Sequence, residues 1–393
     1  MKSVKDLEMY GKRVLVRVDY NLPMDENSII TDDNRIKATL PLIEYLMEKG
    51  AKIILASHMG RPGGKRVAHL SLAPAAIRLA ELLNREVAFV EECIGGEVQK
   101  KVAGLCNGDI VLLENLRFHK GEKANDPEFA KELASLCDIY VNNAFAVSHR
   151  SQASIVGIVP FVAKCAAGFL LEKEISCYSD SVKNPEKPLV AIIGGAKVSG
   201  KLNALKNMLN YVDTLIIGGA MANTFLKSCG IDTKGCLIEE ELISTAAEIV
   251  LDAENRGVEL LLPKDLVVAE KFDQNAKKGE VLVHDIPDNW TGLDIGRKTA
   301  ALFAKAIYKA KTVVWNGPMG VFEMEPFRAG TKAVADAVAA SDAFSVVGGG
   351  DTGLAVKVCN VAEKISYIST GGGAFLHLME GKELPGVIAL ERS

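Results

Sequence analysis

The strongest constraint on the fold is an alternation of short apolar runs with longer segments of helical periodicity along almost the whole chain. This alternation is typical of parallel sheets covered by helices on both faces, so the sequence predicts an α/β fold. Because 393 residues exceed what one hydrophobic core usually supports, we expect two doubly wound, Rossmann-like lobes with parallel sheets.

The predicted strands form two groups, one for each lobe. In the first half they are Lys12–Asp19, Lys52–His58, Glu86–Glu91, Asp109–Asn115 and Asp138–Asn142. In the second half they are Leu189–Ile193, Thr214–Ile217, Glu259–Leu262, Thr312–Trp315, Ala343–Val347 and Ser366–Ser369. Between the groups, Gly168–Asp180 has helical spacing and precedes a polar stretch, which indicates a linker helix and hinge. The predicted domains are residues 1–167 and 185–374, with the linker at 168–184.

Helices are predicted between the strands, among them Thr39–Lys49, Leu72–Asn84 and Pro127–Cys137. Asp126 is expected to cap the last of these, because it precedes a proline at the first helical position.

Composition argues against several classes of partner. The net charge is −4 and no run of lysine and arginine is long, so nucleic acid is not an expected partner. No stretch has the length and apolarity of a membrane span, and the N-terminus does not resemble a signal peptide, so we expect a cytoplasmic protein. The eight cysteines are scattered without metal-ligand spacing, and we interpret them as reduced, mostly buried residues.

Basic side chains are concentrated after the predicted strands of the first half. Nine of the 13 arginines lie within residues 1–150, and none lies between 151 and 255. Ligands of open parallel sheets bind beyond the carboxyl ends of the strands, where arginine can hold phosphate or carboxylate with paired hydrogen bonds. A single arginine could equally be a solvated charge, and the histidines could be structural. The candidates are Arg35, His58, Arg61, Arg117, His149 and Arg150.

In the second half, the residues that follow the predicted strands are rich in glycine rather than in basic side chains. They lie in Ile192–Lys201, Ile216–Ala222, Trp315–Glu323, Val346–Gly353 and Ser369–Ala374. Glycine lets backbone N–H groups approach phosphate oxygens, so five such turns predict a nucleotide-binding lobe. Residues Gly195–Lys201 match the start of a P-loop, but Leu202 replaces its hydroxyl residue, which disfavours that reading. Asp351, at a predicted helix start, is the better candidate for Mg²⁺, although it could simply cap the helix.

In order along the chain, the segments VDYN, SHMGRP, LLENLRFH, GGAKVSGK, TGLDIG, WNGPMGVFE, GGGDT and STGGGA resemble the phosphoglycerate kinase family. The resemblance covers essentially the whole chain. It implies a two-lobed, hinge-bending, Mg²⁺-dependent kinase that interconverts 1,3-bisphosphoglycerate and ADP with 3-phosphoglycerate and ATP. It also implies that the tail, residues 375–393, packs back on the first lobe. Separately, no coiled coil or long exposed apolar stripe in the sequence suggests assembly, so we expect a monomer.

The resemblance further implies the site residues. The residues expected to contact phosphoglycerate are Asp19, Tyr20, Asn21, Arg35, His58, Met59, Gly60, Arg61, Arg117, His149 and Arg150. The residues expected to contact the nucleotide are Lys197, Lys201, Gly218, Gly219, Gly292, Leu293, Asn316, Pro318, Glu323, Gly349, Gly350, Asp351 and Thr352. The expected catalytic groups are Arg35, Lys197 and the backbone of Gly371, Gly372 and Gly373, with Mg²⁺ on Asp351.

Some positions depart from the family's usual pattern. They are Asn143 and Gly200, each replacing aspartate, Ala146 replacing glycine, Thr291 replacing methionine, Phe375 replacing a small residue, and His377 replacing an acid. These departures leave open a second hypothesis, a weakened relative that only binds nucleotide or phosphoglycerate. The retained Arg35, Lys197, Lys201 and Asp351 favour the active enzyme.

Overall fold

A computed structural model describes residues 1–393 and divides the chain into two compact units. The first unit comprises Met1–Ile175 and Glu383–Ser393, and the second comprises Ser176–Lys382. The expected linker helix is present as Phe169–Tyr178, and the division between the units falls within it.

The first unit contains a six-stranded sheet in which every pairing is parallel. Its strands are β1 (Arg13–Arg17), β2 (Lys52–Ala56), β3 (Ala88–Val90), β4 (Ile110–Leu113), β5 (Ile139–Asn142) and β6 (Cys165–Ala167), in the order β3-β4-β2-β1-β5-β6. The strands β4 and β5 are buried along their whole length, as expected for a sheet covered on both faces. The five predicted strands are therefore confirmed, each one to three residues shorter than predicted, and β6 is an addition.

The second unit contains two sheets. The strands are β7 (Leu189–Ile193), β8 (Thr214–Ile217), β9 (Glu259–Leu261), β10 (Asp265–Ala269), β11 (Lys278–Leu282), β12 (Thr291–Ile295), β13 (Thr312–Asn316), β14 (Phe344–Gly348) and β15 (Tyr367–Ile368). Six of them form a parallel sheet in the order β15-β14-β13-β7-β8-β9, which confirms the predicted strands. The other three form an antiparallel sheet, β11-β10-β12, that the sequence analysis did not predict.

Helices connect the strands in both units. They are α1 (Asn34–Lys37), α2 (Leu40–Glu48), α3 (Ala73–Leu83), α4 (Gly96–Ala103), α5 (Lys120–Ala124), α6 (Pro127–Ser135), α7 (Phe169–Tyr178), α8 (Leu202–Met208), α9 (Met221–Ser228), α10 (Ile243–Asn255), α11 (Arg297–Ile307), α12 (Ala329–Ala340), α13 (Gly350–Val358), α14 (Gly372–Met379) and α15 (Pro385–Glu391). The predicted cap is confirmed, because Asp126 Oδ1 accepts a hydrogen bond of 2.9 Å from Phe129 N. None of the helices is both long enough and apolar enough to cross a membrane.

The C-terminal tail begins later than the expected residue 375. Helix α14 belongs to the second unit, where Asn207 Nδ2 donates to Met379 O at 2.8 Å and Tyr178 Oη donates to Leu378 O at 2.6 Å. From Glu383 onward the chain belongs to the first unit, and Gly386 N donates to Ser148 O at 2.9 Å. The difference arises because α14 packs its apolar face against α8.

Candidate functional site

The first unit carries a basic cavity of about 780 Å³. Its lining includes three of the predicted arginines, Arg61, Arg117 and Arg150, which the loops after β2, β4 and β5 bring to one edge of the sheet. The lining also contains His119, Lys120, Lys123 and Gln152, which the sequence analysis did not single out. A cavity with this charge is suited to a small ligand that carries phosphate and carboxylate groups.

Asp19 links three of the predicted residues at the end of β1. Its Oδ2 accepts a short hydrogen bond from Arg35 Nη1, and its Oδ1 accepts one from Asn21 N at 3.1 Å. His58 Nδ1 lies 3.8 Å from the same carboxylate. Burial alone would raise the pKa of Asp19, but neighbouring His58, Arg35 and Arg17 lower it overall. The carboxylate is therefore ionised at neutral pH and orients the Arg35 guanidinium.

His58 is buried and neutral. Burial lowers its pKa well below the ordinary value, and the nearby arginines lower it further against the opposing effect of Asp19. Arg17 Nη2 lies 3.2 Å from Nδ1, which makes Nδ1 the acceptor and places the proton on Nε2. His58 is consequently a hydrogen-bond donor at this site. Because it is neutral, it cannot lower the pKa of Asp19 as a charged imidazolium would, and the positive charge beside that carboxylate comes from Arg35 and Arg17.

The loop after β2 is held in place by its neighbours. Asn21 Oδ1 accepts from Gly60 N at 2.8 Å, and Arg117 Nη1 donates to Gly60 O at 2.8 Å. Burial, together with Arg17 and Arg150, lowers the pKa of Arg117 to about 10. Arg117 thus stays charged at neutral pH, and an anion in the cavity would relieve its repulsion from the other arginines.

Three other predicted residues have a different environment. The side chains of Tyr20 and Met59 lie in the hydrophobic core, and Tyr20 Oη is bonded to Thr39 Oγ1 at 2.8 Å, so only their backbone could meet a ligand. His149 Nε2 accepts from Arg150 Nε at 3.2 Å. It therefore positions Arg150, a role that the sequence pattern does not distinguish from ligand binding.

A buried ionic network lies behind the basic cavity. Arg17 Nε donates to Ser154 Oγ at 2.8 Å, and Ser154 donates from Oγ and N to Glu122 at 2.7 and 2.9 Å. Arg17 and Glu122 are both fully buried, with Nη2 and Oε1 3.9 Å apart. Glu122 belongs to α5, the helix that carries Lys120 and Lys123, so the network anchors the cavity wall to β1. Sequence reasoning missed it because its members are distant along the chain.

In the second unit, Lys201 lies between the loops that follow the adjacent strands β7 and β13. Its Nζ donates to Gly194 O at 2.5 Å and to Asn316 O at 3.0 Å. Burial lowers the pKa of Lys201 to about 8, while Asp351 opposes the shift. These strands flank the point where the strand order reverses, which is where open α/β sheets bind ligands.

Glycine is required where these loops cross. Gly317 has φ +100°, and a Cβ there would lie 2.2 Å from Gly194 O. Gly194 N and Gly195 N donate to Asn316 O and Pro318 O, each at 3.0 Å. Any side chain at Gly317 would push the loops apart and move Lys201.

A cavity of about 510 Å³ opens beside Lys201. Its lining includes the predicted residues Gly219, Gly292, Leu293, Pro318, Glu323 and Asp351. Apolar side chains, among them Leu237, Phe272 and Met319, contribute other walls. An apolar cavity with an acid at its edge is suited to a nucleoside whose ring stacks on aliphatic groups. The predicted nucleotide residues outside the lining are Lys197, Lys201, Gly218, Asn316, Gly349, Gly350 and Thr352. At Gly218 a Cβ would meet Met319 Sδ at 2.2 Å.

The loop Gly349–Thr352 is shaped by polar contacts. Asn316 Nδ2 donates to Gly348 O at 2.9 Å, and the buried Thr352 Oγ1 accepts from Gly317 N at 2.7 Å. Gly350 opens α13, so the exposed Asp351 lies in its first turn. One carboxylate beside a phosphate site is a donor set that suits Mg²⁺, which usually takes its other ligands from phosphate and water.

The glycine run before α14 approaches this loop closely. A Cβ on Gly372 would lie 2.7 Å from Gly349 Cα. Gly371 N already donates to Ser369 Oγ at 3.2 Å, so Gly372 and Gly373, which begin the helix, are the better backbone donors. Phe375 is buried with its ring against Gly348, where a Cβ would lie 2.1 Å from Cδ1.

The exposed loop that carries Lys197 is held by Glu239, a residue that sequence reasoning missed. Glu239 accepts hydrogen bonds from Val198 N, Ser199 N and Ser199 Oγ. These bonds lower its pKa despite partial burial. Because Glu239 is 40 residues from Ser199 in the chain, no local motif could reveal the contact.

Of the other departures, Asn143 makes a local structural contact. Asn143 Oδ1 accepts from Leu170 N at 2.9 Å, so its amide binds the first turn of α7 as an aspartate could. Gly200 has open space around the position of a Cβ.

Comparison with known proteins identifies the family. A model of the phosphoglycerate kinase family matches residues 4–382. The phosphoglycerate kinase of Desulforapulum autotrophicum is 66% identical over 391 residues, covering 100% of both chains, and that of Moorella thermoacetica is 54% identical, covering 99% of this chain and 98% of its own. Among solved structures, phosphoglycerate kinase from Coxiella burnetii has 42% identity and a TM-score of 0.91, covering 99% of this chain and 98% of that one. The enzyme from Pyrococcus horikoshii has 33% identity and a TM-score of 0.87, covering 100% and 98%. The chain therefore belongs to the phosphoglycerate kinase family.

Proposed function

We propose that the basic cavity of the first unit binds phosphoglycerate and that the cavity beside Lys201 binds ATP or ADP. The enzyme then transfers a phosphoryl group between the nucleotide and the carboxyl group of 3-phosphoglycerate. The observation that carries this assignment is the cavity lined by Arg61, Arg117 and Arg150. The relatives, which share the whole length of the chain, carry the name of the active enzyme and give no support to a binding-only role.

The chemistry needs no general base. The substrate carboxylate that attacks ATP is ionised at neutral pH, so no proton has to be removed from it. This agrees with the state of His58, which is buried, neutral and donates from Nε2. His58 is suited to binding a carboxylate or phosphate oxygen as a neutral donor.

Catalysis is then the stabilisation of charge on the phosphoryl group during transfer. Arg35, oriented by Asp19, and Lys197, on the loop held by Glu239, supply positive charge. The N–H groups of Gly372 and Gly373 at the start of α14 supply fixed dipoles, which cost no reorganisation during the reaction. Glu323, on the lining of the second cavity, is placed to accept from ribose hydroxyls.

Asp351 is the residue that would hold Mg²⁺. When bound, the ion neutralises the phosphate oxygens of the nucleotide. Asp351 also keeps the Lys201 ammonium protonated, because its charge opposes the effect of burial. Lys201 in turn binds the nucleotide phosphates from the crossing of the β7 and β13 loops.

We expect the enzyme to act as a monomer in the cytoplasm. Light scattering after size exclusion should give the 42.1 kDa mass of one chain.

The activity is tested by following conversion of 3-phosphoglycerate and MgATP, with the acyl phosphate coupled to glyceraldehyde-phosphate dehydrogenase and NADH oxidation. We expect turnover that depends on both substrates and on Mg²⁺. Calorimetric binding of both ligands without turnover would contradict the assignment and favour the binding-only relative.

Nucleotide binding should take up a proton at alkaline pH through Lys201. Because burial lowers its pKa to about 8, free Lys201 is largely neutral at about pH 9, and the phosphates of ATP favour its protonated form. Apparent ATP affinity should therefore fall as pH rises through about 8.

The measurement is calorimetric titration at that pH in two buffers of different ionisation enthalpy. Proton uptake makes the observed binding enthalpy differ between the two buffers, and this difference should disappear in Lys201→Met. Equal proton uptake in the variant would assign the titration to another group.

A further inference from the structure

Three side chains with different ligand chemistry meet at the ends of two neighbouring strands. Glu92 and Cys93 follow β3, and His119 follows β4. The two strands pair in parallel, with Val90 opposite Leu113, so both loops leave the same edge of the sheet. His119 lies 26 residues after Cys93, which is why the sequence shows no metal-ligand spacing.

The potential ligand atoms of these residues all lie within 4.8 Å of one another. His119 Nε2 and Glu92 Oε1 are 2.6 Å apart, and the same oxygen accepts from Cys93 N at 2.9 Å. The His119 ring packs on Phe129 with centroids 5.4 Å apart, which fixes its orientation. One imidazole nitrogen, one thiol and one carboxylate therefore converge at one place in the fold.

The surroundings of Cys93 favour a cation. The carboxylates of Glu92, Glu122 and Glu114 all act on its thiol with negative charge. A divalent ion would neutralise this field and displace the thiol proton to solvent as the sulfur–metal bond forms.

We propose that Glu92, Cys93 and His119 form a binding site for Zn²⁺, with water as the fourth ligand. Zinc accepts sulfur, imidazole nitrogen and carboxylate oxygen in one tetrahedral shell. Mg²⁺ is a hard ion that requires oxygen ligands, so this site is distinct in chemistry from Asp351.

Access to the site is from the solvent side. The side chains of Glu92 and His119 are 45% and 30% exposed, whereas Cys93 is buried beneath them. An ion can therefore enter between the carboxylate and the imidazole, replace their hydrogen bond and reach the sulfur.

A bound ion would join the loops after β3 and β4. His119 also lines the basic cavity, so the ion would fix one residue of the wall that faces phosphoglycerate. Because the three ligands are brought together only in the folded chain, binding should stabilise the fold by mass action.

The test uses the full-length enzyme, freed of metal and kept reduced. Equilibrium dialysis should find one Zn²⁺ per chain in the presence of excess Mg²⁺, and Co²⁺ should give the thiolate-to-metal charge-transfer band of a tetrahedral site. Zn²⁺ should also raise the melting temperature.

Cys93→Ser should weaken binding by about 100-fold or more, beyond the loss typical of an outer-shell change, and abolish the charge-transfer band. Glu92→Gln provides a second variant with the thiol intact, and it should also weaken binding. Cys106→Ser, which replaces an exposed cysteine elsewhere in the first unit, should match the parent protein. Zinc binding and a cobalt band that survive in Cys93→Ser, or that are lost in Cys106→Ser, would overturn the proposal.

Discussion

Replacement of Arg35 by alanine should lower kcat by about 10²- to 10³-fold, the loss typical when one pre-positioned donor to the transition state is removed. Arg35 is partly exposed, and its Nη1 is held by the buried Asp19 carboxylate. The guanidinium is therefore oriented before substrate binds, and its loss removes charge stabilisation that water cannot replace in the same geometry. Steady-state rates with saturating MgATP and 3-phosphoglycerate provide the measurement.

The matched control is Lys37→Ala, because Lys37 lies in the same short helix and pairs with Asp33 at 2.8 Å. It should keep parental turnover. Arg35→Lys should fall between Arg35→Ala and the parent, since it retains the charge but not the planar fork. Near-parental kcat in Arg35→Ala, with circular dichroism showing an intact fold, would remove Arg35 from the catalytic groups.

Asp351→Asn should lower kcat by roughly 10²- to 10³-fold and raise the Mg²⁺ concentration needed for half-maximal rate. Asparagine keeps the shape and one acceptor oxygen, so the first turn of α13 should persist while the negative charge is lost. The loss of that charge should also lower the pKa of Lys201 further, because Asp351 is the group that opposes the effect of burial. Rates are measured as a function of free Mg²⁺.

Asp342→Asn, at an exposed position before β14 in the same unit, is the control and should leave the Mg²⁺ dependence unchanged. An Asp351→Asn enzyme with the parental Mg²⁺ curve would show that the ion is held elsewhere, and the carboxylate would then serve only the helix start.

The strands of the two parallel sheets could be predicted from the sequence because they are apolar along their length and end in recognisable turns. The antiparallel sheet could not be predicted in this way. Strand β11 (Lys278–Leu282) alternates exposed and half-exposed side chains and has no buried face, so nothing in its hydrophobicity marks it. Strand β6 (Cys165–Ala167) consists of three small residues, and its strand character comes from pairing with β5.

In the candidate site, too, some residues could be predicted from the sequence and others could not. Arg61, Arg117 and Arg150 could be predicted to meet because the strands before them are parallel and end at one edge. Glu239 and Glu122 could not, because each acts through a contact with residues more than 30 positions away. The burial of individual side chains could not be predicted either. Tyr20 lies within a motif of binding residues, yet its side chain lies in the hydrophobic core.

Gly348 and Phe375 constrain the order in which this sequence can change. The aromatic ring occupies the space that any side chain at position 348 would need, and its edge faces the ring of Tyr178 with centroids 6.3 Å apart. A mutation at position 348 is therefore tolerated only in a lineage that has already lost the ring. Loss of the ring alone leaves a cavity beside Gly348, next to the loop Gly349–Thr352. The two positions should thus be coupled, because a side chain at position 348 requires a smaller residue than phenylalanine at position 375.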